Sequence, residues 1–111
     1  MKQVFWIKAA DKDFKEFPQT ARDQILEALD AAALGGKSDI SKPMQGLGSG
    51  IFEVALAYRS DAFRCVYAVQ IGNAIWVIHA FQKKSTTGIS TPKHEINLIK
   101  LRLKRLKEEL K

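Results

Sequence analysis

The sequence is poor in the residues that build metal and disulfide frameworks. Cys65 is its only cysteine, and His79 and His94 are its only histidines. One thiol cannot close an internal bridge, and two imidazoles this far apart form no Cys/His cluster of zinc-ligand spacing. No metal and no cofactor is expected. Long apolar runs are missing as well, since no stretch approaches the ~18 residues that a membrane span needs. Met1 to Ala10 carries one lysine ahead of a short apolar run that Asp11 ends, which is not the pattern of a secretory leader. The expectation is a cytoplasmic protein with no membrane partner.

What remains is ordinary for a folded chain: 111 residues, 46% hydrophobic, 27% charged and 9% aromatic. Such a length leaves room for a single domain over residues 1–111, able to bury roughly two-thirds of the surface its unfolded form exposes. Charge is less evenly spread. Eighteen Lys+Arg against twelve Asp+Glu leave a net charge of +6, a balance that favours polyanions such as nucleic acid. Residues 11–34 hold six of the acids (Asp11, Asp13, Glu16, Asp23, Glu27, Asp30) but only three of the bases. The basic surface therefore belongs to the second half.

Val4 to Ile7 is a β-prone run, and Asp11 then offers an N-cap for a brief helix through Phe14 and Phe17. Pro18 opens a longer helix, in which Ala21, Ile25, Ala28, Leu29 and Ala32 recur at helical spacing until Gly35-Gly36 stops the pattern. Residues 35–50 are rich in turn formers and read as a loop. Three β-branched and aromatic runs follow, Ile51 to Arg59, Ala62 to Ile71 and Ala74 to Phe81, separated by the two-residue turns Ser60-Asp61 and Gly72-Asn73. Thr91-Pro92 opens a last helix, with Ile96, Ile99, Leu103, Leu106 and Leu110 three and four residues apart. This stripe is either a packing seam onto the protein's own body or a seat for a partner helix. The order β-α-α-β-β-β-α predicts an α+β fold with two N-terminal helices packed on one face of an antiparallel sheet.

Strand alternation carried across both turns sorts the side chains into two faces. One face collects Phe52, Val54, Leu56, Tyr58, Phe63, Cys65, Tyr67, Val69, Trp76, Ile78 and Ala80 as core for the helices, which makes Cys65 a buried small hydrophobe. The other collects Glu53, Ala55, Ala57, Arg59, Arg64, Val66, Ala68, Gln70, Val77, His79, Phe81 and Lys83. On this register Arg64 lies between Ala57 and Phe81, a shallow trough beside a ring. Two roles are open to it: a phosphate or base-stacking site, or a solvated residue paired with a carboxylate such as Glu53. His79 is open to two roles in the same way, a hydrogen-bonded structural residue or an acid–base group.

Three stretches carry a family resemblance. Lys42-Pro43-Met44-Gln45-Gly46-Leu47-Gly48-Ser49-Gly50-Ile51-Phe52-Glu53-Val54, Phe63-Arg64-Cys65-Val66-Tyr67-Ala68, and His79-Ala80-Phe81-Gln82-Lys83-Lys84-Ser85 with Thr91-Pro92, resemble the phage-derived, HigB-like branch of the RelE/ParE toxin superfamily. The resemblance covers nearly the whole chain and implies the toxin of a type II toxin–antitoxin module, neutralised by a cognate antitoxin that is commonly a helix-turn-helix DNA-binding protein. It further implies an mRNA endonuclease, metal-independent and commonly ribosome-bound, that attacks a phosphate with the neighbouring ribose 2′-hydroxyl. That reaction needs a base, an acid and cations for the phosphorane. Arg64 matches the superfamily's strand arginine and Lys83 falls where RelE-like toxins place a basic residue after the last strand, so these two, with Lys84 and His79, are the implied catalytic residues; where RelE enzymes carry paired lysines this chain departs from them, with Glu53 and Ala55. Arg59, Phe81, Lys100 and Arg102 are candidates for holding RNA, the last two on a basic helix face with Lys104, Arg105 and Lys107. On this reading Arg64→Ala removes activity and leaves the fold intact. The same superfamily also implies two alternatives, a ParE-like non-enzymatic inhibitor of DNA gyrase and an inactive phage remnant that only binds its antitoxin.

Overall fold

Alternating apolar residues over 51–83 build the centre of the fold. The computed structural model describes residues 1–84 and 90–110. Its strands are β1 (Gln3–Trp6), β2 (Ser41–Pro43), β3 (Ile51–Tyr58), β4 (Asp61–Ile71) and β5 (Ala74–Lys83), and its helices α1 (Lys8–Phe14), α2 (Gln19–Ala33) and α3 (Lys93–Glu109). The strands form one sheet in the order β1-β5-β4-β3-β2. The β3-β4-β5 meander is antiparallel as the hairpin turns require, whereas β1 runs parallel to β5, with Gln3 beside Ala74 and Trp6 beside Val77.

Three local features differ from the sequence reading. Helix α1 begins at Lys8, so Asp11 sits in its first turn as an acid favourable to the helix dipole rather than capping it. Inside the stretch read as loop, residues 41–43 pair with β3, Ser41 opposite Val54 and Pro43 opposite Phe52. Proline is tolerated there because β2 is an edge strand. The β3–β4 turn falls on Arg59-Ser60, both at positive φ (51° and 70°), which is the twist a tight hairpin favours. Tyr58 is therefore opposite Asp61, and Asp61 Oδ2 accepts a hydrogen bond from Gln82 Nε2 at 2.7 Å. Moving the turn by one residue shifts each cross-strand partner by two places and exchanges no faces.

A bulge does exchange faces. Val66 pairs with His79 but Tyr67 pairs with Val77, leaving Ile78 as the extra residue of β5. Ile75 and Val77 consequently join the α1/α2 core, where Ala80 already lies as expected with Val54, Leu56, Phe63, Cys65 and Tyr67. Ile78, with Trp76 packed beside it, belongs to the other layer, the reverse of the placement expected for Trp76, Ile78 and Val77. Cys65 is fully buried, and burial together with the Glu53 charge raises its thiol pKa, so it behaves as the small hydrophobe expected.

The α1/α2 layer covers its face as anticipated, with Ala21, Ile25, Ala28, Leu29 and Ala32 pointing inward. The opposite face is not open. The stripe of α3 lies across it: Ile99, Leu103 and Leu106 pack on Ile51, Val66, Ala68, Ile71 and Ile78 with Leu47 of the preceding loop. That loop is pinned at Gly50, whose φ is +76° and where an added Cβ would lie 2.8 Å from Gln70 Cγ. Gly50→Ala is therefore expected to cost about 1–3 kcal/mol, read as a lower urea midpoint, with Gly48→Ala as a comparison free of the Gln70 clash.

Candidate functional site

Closure by α3 turns the expected trough into a buried polar seam. Arg64 of β4 lies between Ala55 and Phe81, not Ala57 and Phe81, and is 6% exposed. Its Nη1 donates to Glu53 Oε1 at 2.9 Å. The Thr91 hydroxyl donates to Glu53 Oε2 at 2.6 Å, tying the approach to α3 to the same carboxylate. Of the two roles open to Arg64, the carboxylate pair is the one formed, but buried rather than solvated. Phe81 is buried as well, with its ring 5.5 Å from that of His79, so it presents no face for stacking a base.

One turn further along the helix, His79 is held from both sides and is 2% exposed. Arg102 Nη1 lies 2.6 Å from its Nδ1 and Glu95 Oε1 lies 2.6 Å from its Nε2. A guanidinium has only protons to give, so Nδ1 accepts from Arg102 and Nε2 carries the hydrogen donated to Glu95. Burial is the largest influence on His79 and lowers its pKa; the bond to Glu95 opposes this and the Arg102 charge adds to it. The imidazole is thus a neutral connector between two positions of α3. Arg102, assigned to RNA on sequence grounds, is half-buried and also reaches the Ile78 carbonyl at 3.3 Å. Glu95 Oε2 meanwhile lies 3.1 Å from Nε2 of His94, whose side chain is 79% exposed.

A pH dependence follows. In the unfolded chain His79 takes its proton near 6.5, while in the folded chain it resists protonation until lower pH. Protons therefore favour the unfolded state, and this contribution to stability is present above 6.5 and lost as pH falls from there toward the folded value. His79→Gln is expected to flatten that part of the profile, checked by urea unfolding of both proteins across the range.

Of the remaining sequence candidates, Arg59, Lys83 and Lys84 lie at one end of the sheet. Arg59 is exposed at the β3–β4 turn, its guanidinium 5.3 Å over the Tyr58 ring. Lys83 is half-buried at the last position of β5, opposite Ala62, and its Nζ lies 3.4 Å from the Ser90 carbonyl; Lys84 beside it is exposed. His94 opens α3 at this end. Lys100 is exposed further along the helix, lining a hollow with Lys104, Lys107 and Gly46. Ser85 of the third motif lies outside the described residues. Sequence reasoning missed Glu95 and His94. Their one signal was a His-Glu pair directly after the Thr91-Pro92 helix start, which strand-centred reasoning passed over. Among the described residues no group of three or more His, Cys, Asp or Glu could hold a metal ion, and no helix is long and apolar enough to cross a membrane.

The family described as Phage derived protein Gp49-like (DUF891) matches residues 12–104. The chain belongs to this family. Among solved structures it is similar to a mutant of E. coli toxin RelE with two arginines replaced by alanine, in the free state. That match has a TM-score of 0.62 and 19% identity over 95% of this chain and 97% of that one. The isolated E. coli RelE toxin matches with a TM-score of 0.57 and 18% identity over 96% and 99% of the two chains. No curated protein sequence matches. This phage-derived family member has the RelE fold.

Proposed function

We propose that this chain is the toxin of a type II toxin–antitoxin module, acting as a single domain in the cytoplasm, and that it cleaves mRNA on the ribosome without a metal. The chief support is the RelE fold along nearly the whole chain, joined to an end of the sheet where Arg59, Lys83 and Lys84 come together. In the proposed reaction a ribose 2′-hydroxyl attacks the adjacent phosphate and the 5′-oxygen leaves. Lys83 and Lys84 balance the charge that develops on the phosphorane. Arg59 holds the RNA backbone, Lys100 adds a salt-sensitive contact to ribosomal RNA, and His94 offers an exposed imidazole for proton exchange. Arg64 and His79 serve by holding α3 on the sheet. The implied partner is a cognate antitoxin of the helix-turn-helix kind.

One observation favours a second reading. The strand residues suited to acid–base or phosphate chemistry, Arg64 and His79, are buried and bonded, as a non-enzymatic inhibitor of DNA gyrase would tolerate. Induced expression with transcript 5′-end mapping separates the two. Growth arrest with new ends inside coding regions, reduced about 100-fold in Arg59→Glu/Lys83→Glu/Lys84→Glu, is the expected result. Arrest with transcripts intact would transfer the assignment to gyrase, and unaltered growth would leave an inactive remnant.

A further inference from the structure

Two turns of α3 are fastened to the sheet through one side chain. Glu95 and Arg102 stand about 10 Å apart along the helix, and both reach His79 of β5, at 2.6 Å on its Nε2 and 2.6 Å on its Nδ1. This arrangement works only while His79 is neutral. With a proton on each ring nitrogen, Nδ1 can no longer accept, and its N–H would face a guanidinium that also has only protons to give. At Nε2 the consequence is the opposite, since the bond to the Glu95 carboxylate becomes charge-assisted and stronger. One proton therefore acts in opposite senses on the two turns. Among the described residues, the other charged groups around the ring have partners or act from farther off. Glu95 Oε2 also meets His94, and Asp13 of α1 acts on the imidazole by charge alone. Arg64 on β4, two residues from the cross-strand neighbour Val66, is held by Glu53 of β3.

We infer that Glu95, His79 and Arg102 form a proton-operated latch: on taking up a proton His79 keeps Glu95, expels Arg102 and frees the second half of α3 from the sheet while the first turns stay bound. Arg102 can leave, because it is only half-buried and its other bond, to the Ile78 carbonyl, is long at 3.3 Å. What its departure uncovers is apolar. Leu103 and Leu106 follow it on the helix and pack on Val66, Ala68, Ile71 and Ile78. Burial lowers the pKa of His79, so the latch stays closed at neutral pH. With Arg102 gone, the imidazole beside Glu95 holds its proton more firmly, and acid favours the open form. A loss of global stability alone would loosen α2 and α3 together. The latch needs no RNA and none of the cations assigned to it.

The test follows amide hydrogen exchange of the full chain by mass spectrometry at about pH 8 and about pH 5, read as protection factors so that the intrinsic pH dependence of exchange drops out. Protection over residues 103–109 is expected to fall about ten-fold relative to α2 on going to acid, while residues 97–100 hold theirs. His79→Gln keeps both bonds, since its amide accepts from Arg102 and donates to Glu95, and has nothing to titrate. The acid-induced loss should vanish in it. In Arg102→Met, residues 103–109 should be weakly protected at both pH values. His94→Gln, which removes the other imidazole on Glu95, should keep the loss. If His79→Gln does not fold, imidazole nitrogen chemical shifts of the wild type decide: His79 should pass from the Nε2–H tautomer to imidazolium over the range in which residues 103–109 lose protection. Equal loss in α2 and α3, a loss that survives in His79→Gln or vanishes in His94→Gln, or a His79 that stays neutral while protection falls would overturn the inference.

Discussion

Arg64→Ala is expected to destabilise the protein by about 3–5 kcal/mol, because it leaves the Glu53 carboxylate buried without its main cation. Glu53 is 3% exposed and keeps only the Thr91 hydroxyl among the bonds described above. The sequence reading expected this substitution to remove activity and spare the fold; a 6% exposed guanidinium bound to a buried carboxylate reverses that expectation. Loss of toxicity in Arg64→Ala would therefore report unfolding. The double variant Glu53→Gln/Arg64→Met removes both charges at similar volume, and such replacements are often neutral or stabilising. Urea unfolding should place the single variant far below wild type and the double variant near it. Equal stability of wild type and Arg64→Ala would mean that the ion pair is not closed in solution.

Ile99→Ala carries the other large effect, about 2–5 kcal/mol. Ile99 is fully buried at the middle of the α3 stripe, against the apolar part of β4 and β5. Truncation leaves a hole between a helix and a sheet that are joined elsewhere by the Glu95–His79–Arg102 connection. The loss should be concentrated in α3, seen as faster amide hydrogen exchange there than in α2. Leu101, 42% exposed on the far side of the helix, is the comparison. Leu101→Ala should change stability by no more than about 0.5 kcal/mol.

Much of this architecture was legible in the sequence because period and composition agree. Helix α2 declares itself through Ala21, Ile25, Ala28 and Leu29, and α3 through its leucine stripe, while the meander follows from runs too β-prone to be anything else. The face of each residue up to Tyr67 survived even a misplaced turn, since the slip was by an even number of places. What escaped had a physical cause in each case. A single extra residue, Ile78, reverses the faces of Trp76 and Val77, and no local propensity announces a bulge. The three residues of β2 contain a proline and are too short to show a period. Nothing in the strands says that α3 will lie on the second face, and that one placement converts Arg64, His79 and Phe81 from surface candidates into buried supports. Arg59, Lys83 and Lys84 kept their exposure or partial exposure because they sit beyond the reach of the α3 stripe, and Lys100 because it lies on α3 off the packed face.

The central claim is that this RelE-like fold cuts mRNA through its basic end. Its most direct test adds purified full-length chain to ribosomes holding a defined mRNA, and in parallel to the free mRNA, then determines product ends. The account predicts cleavage on the ribosome, with a 5′-hydroxyl on the downstream fragment, lost in the Arg59→Glu/Lys83→Glu/Lys84→Glu protein while circular dichroism shows that protein folded. Intact mRNA on ribosomes exposed to a chain that arrests growth would contradict it.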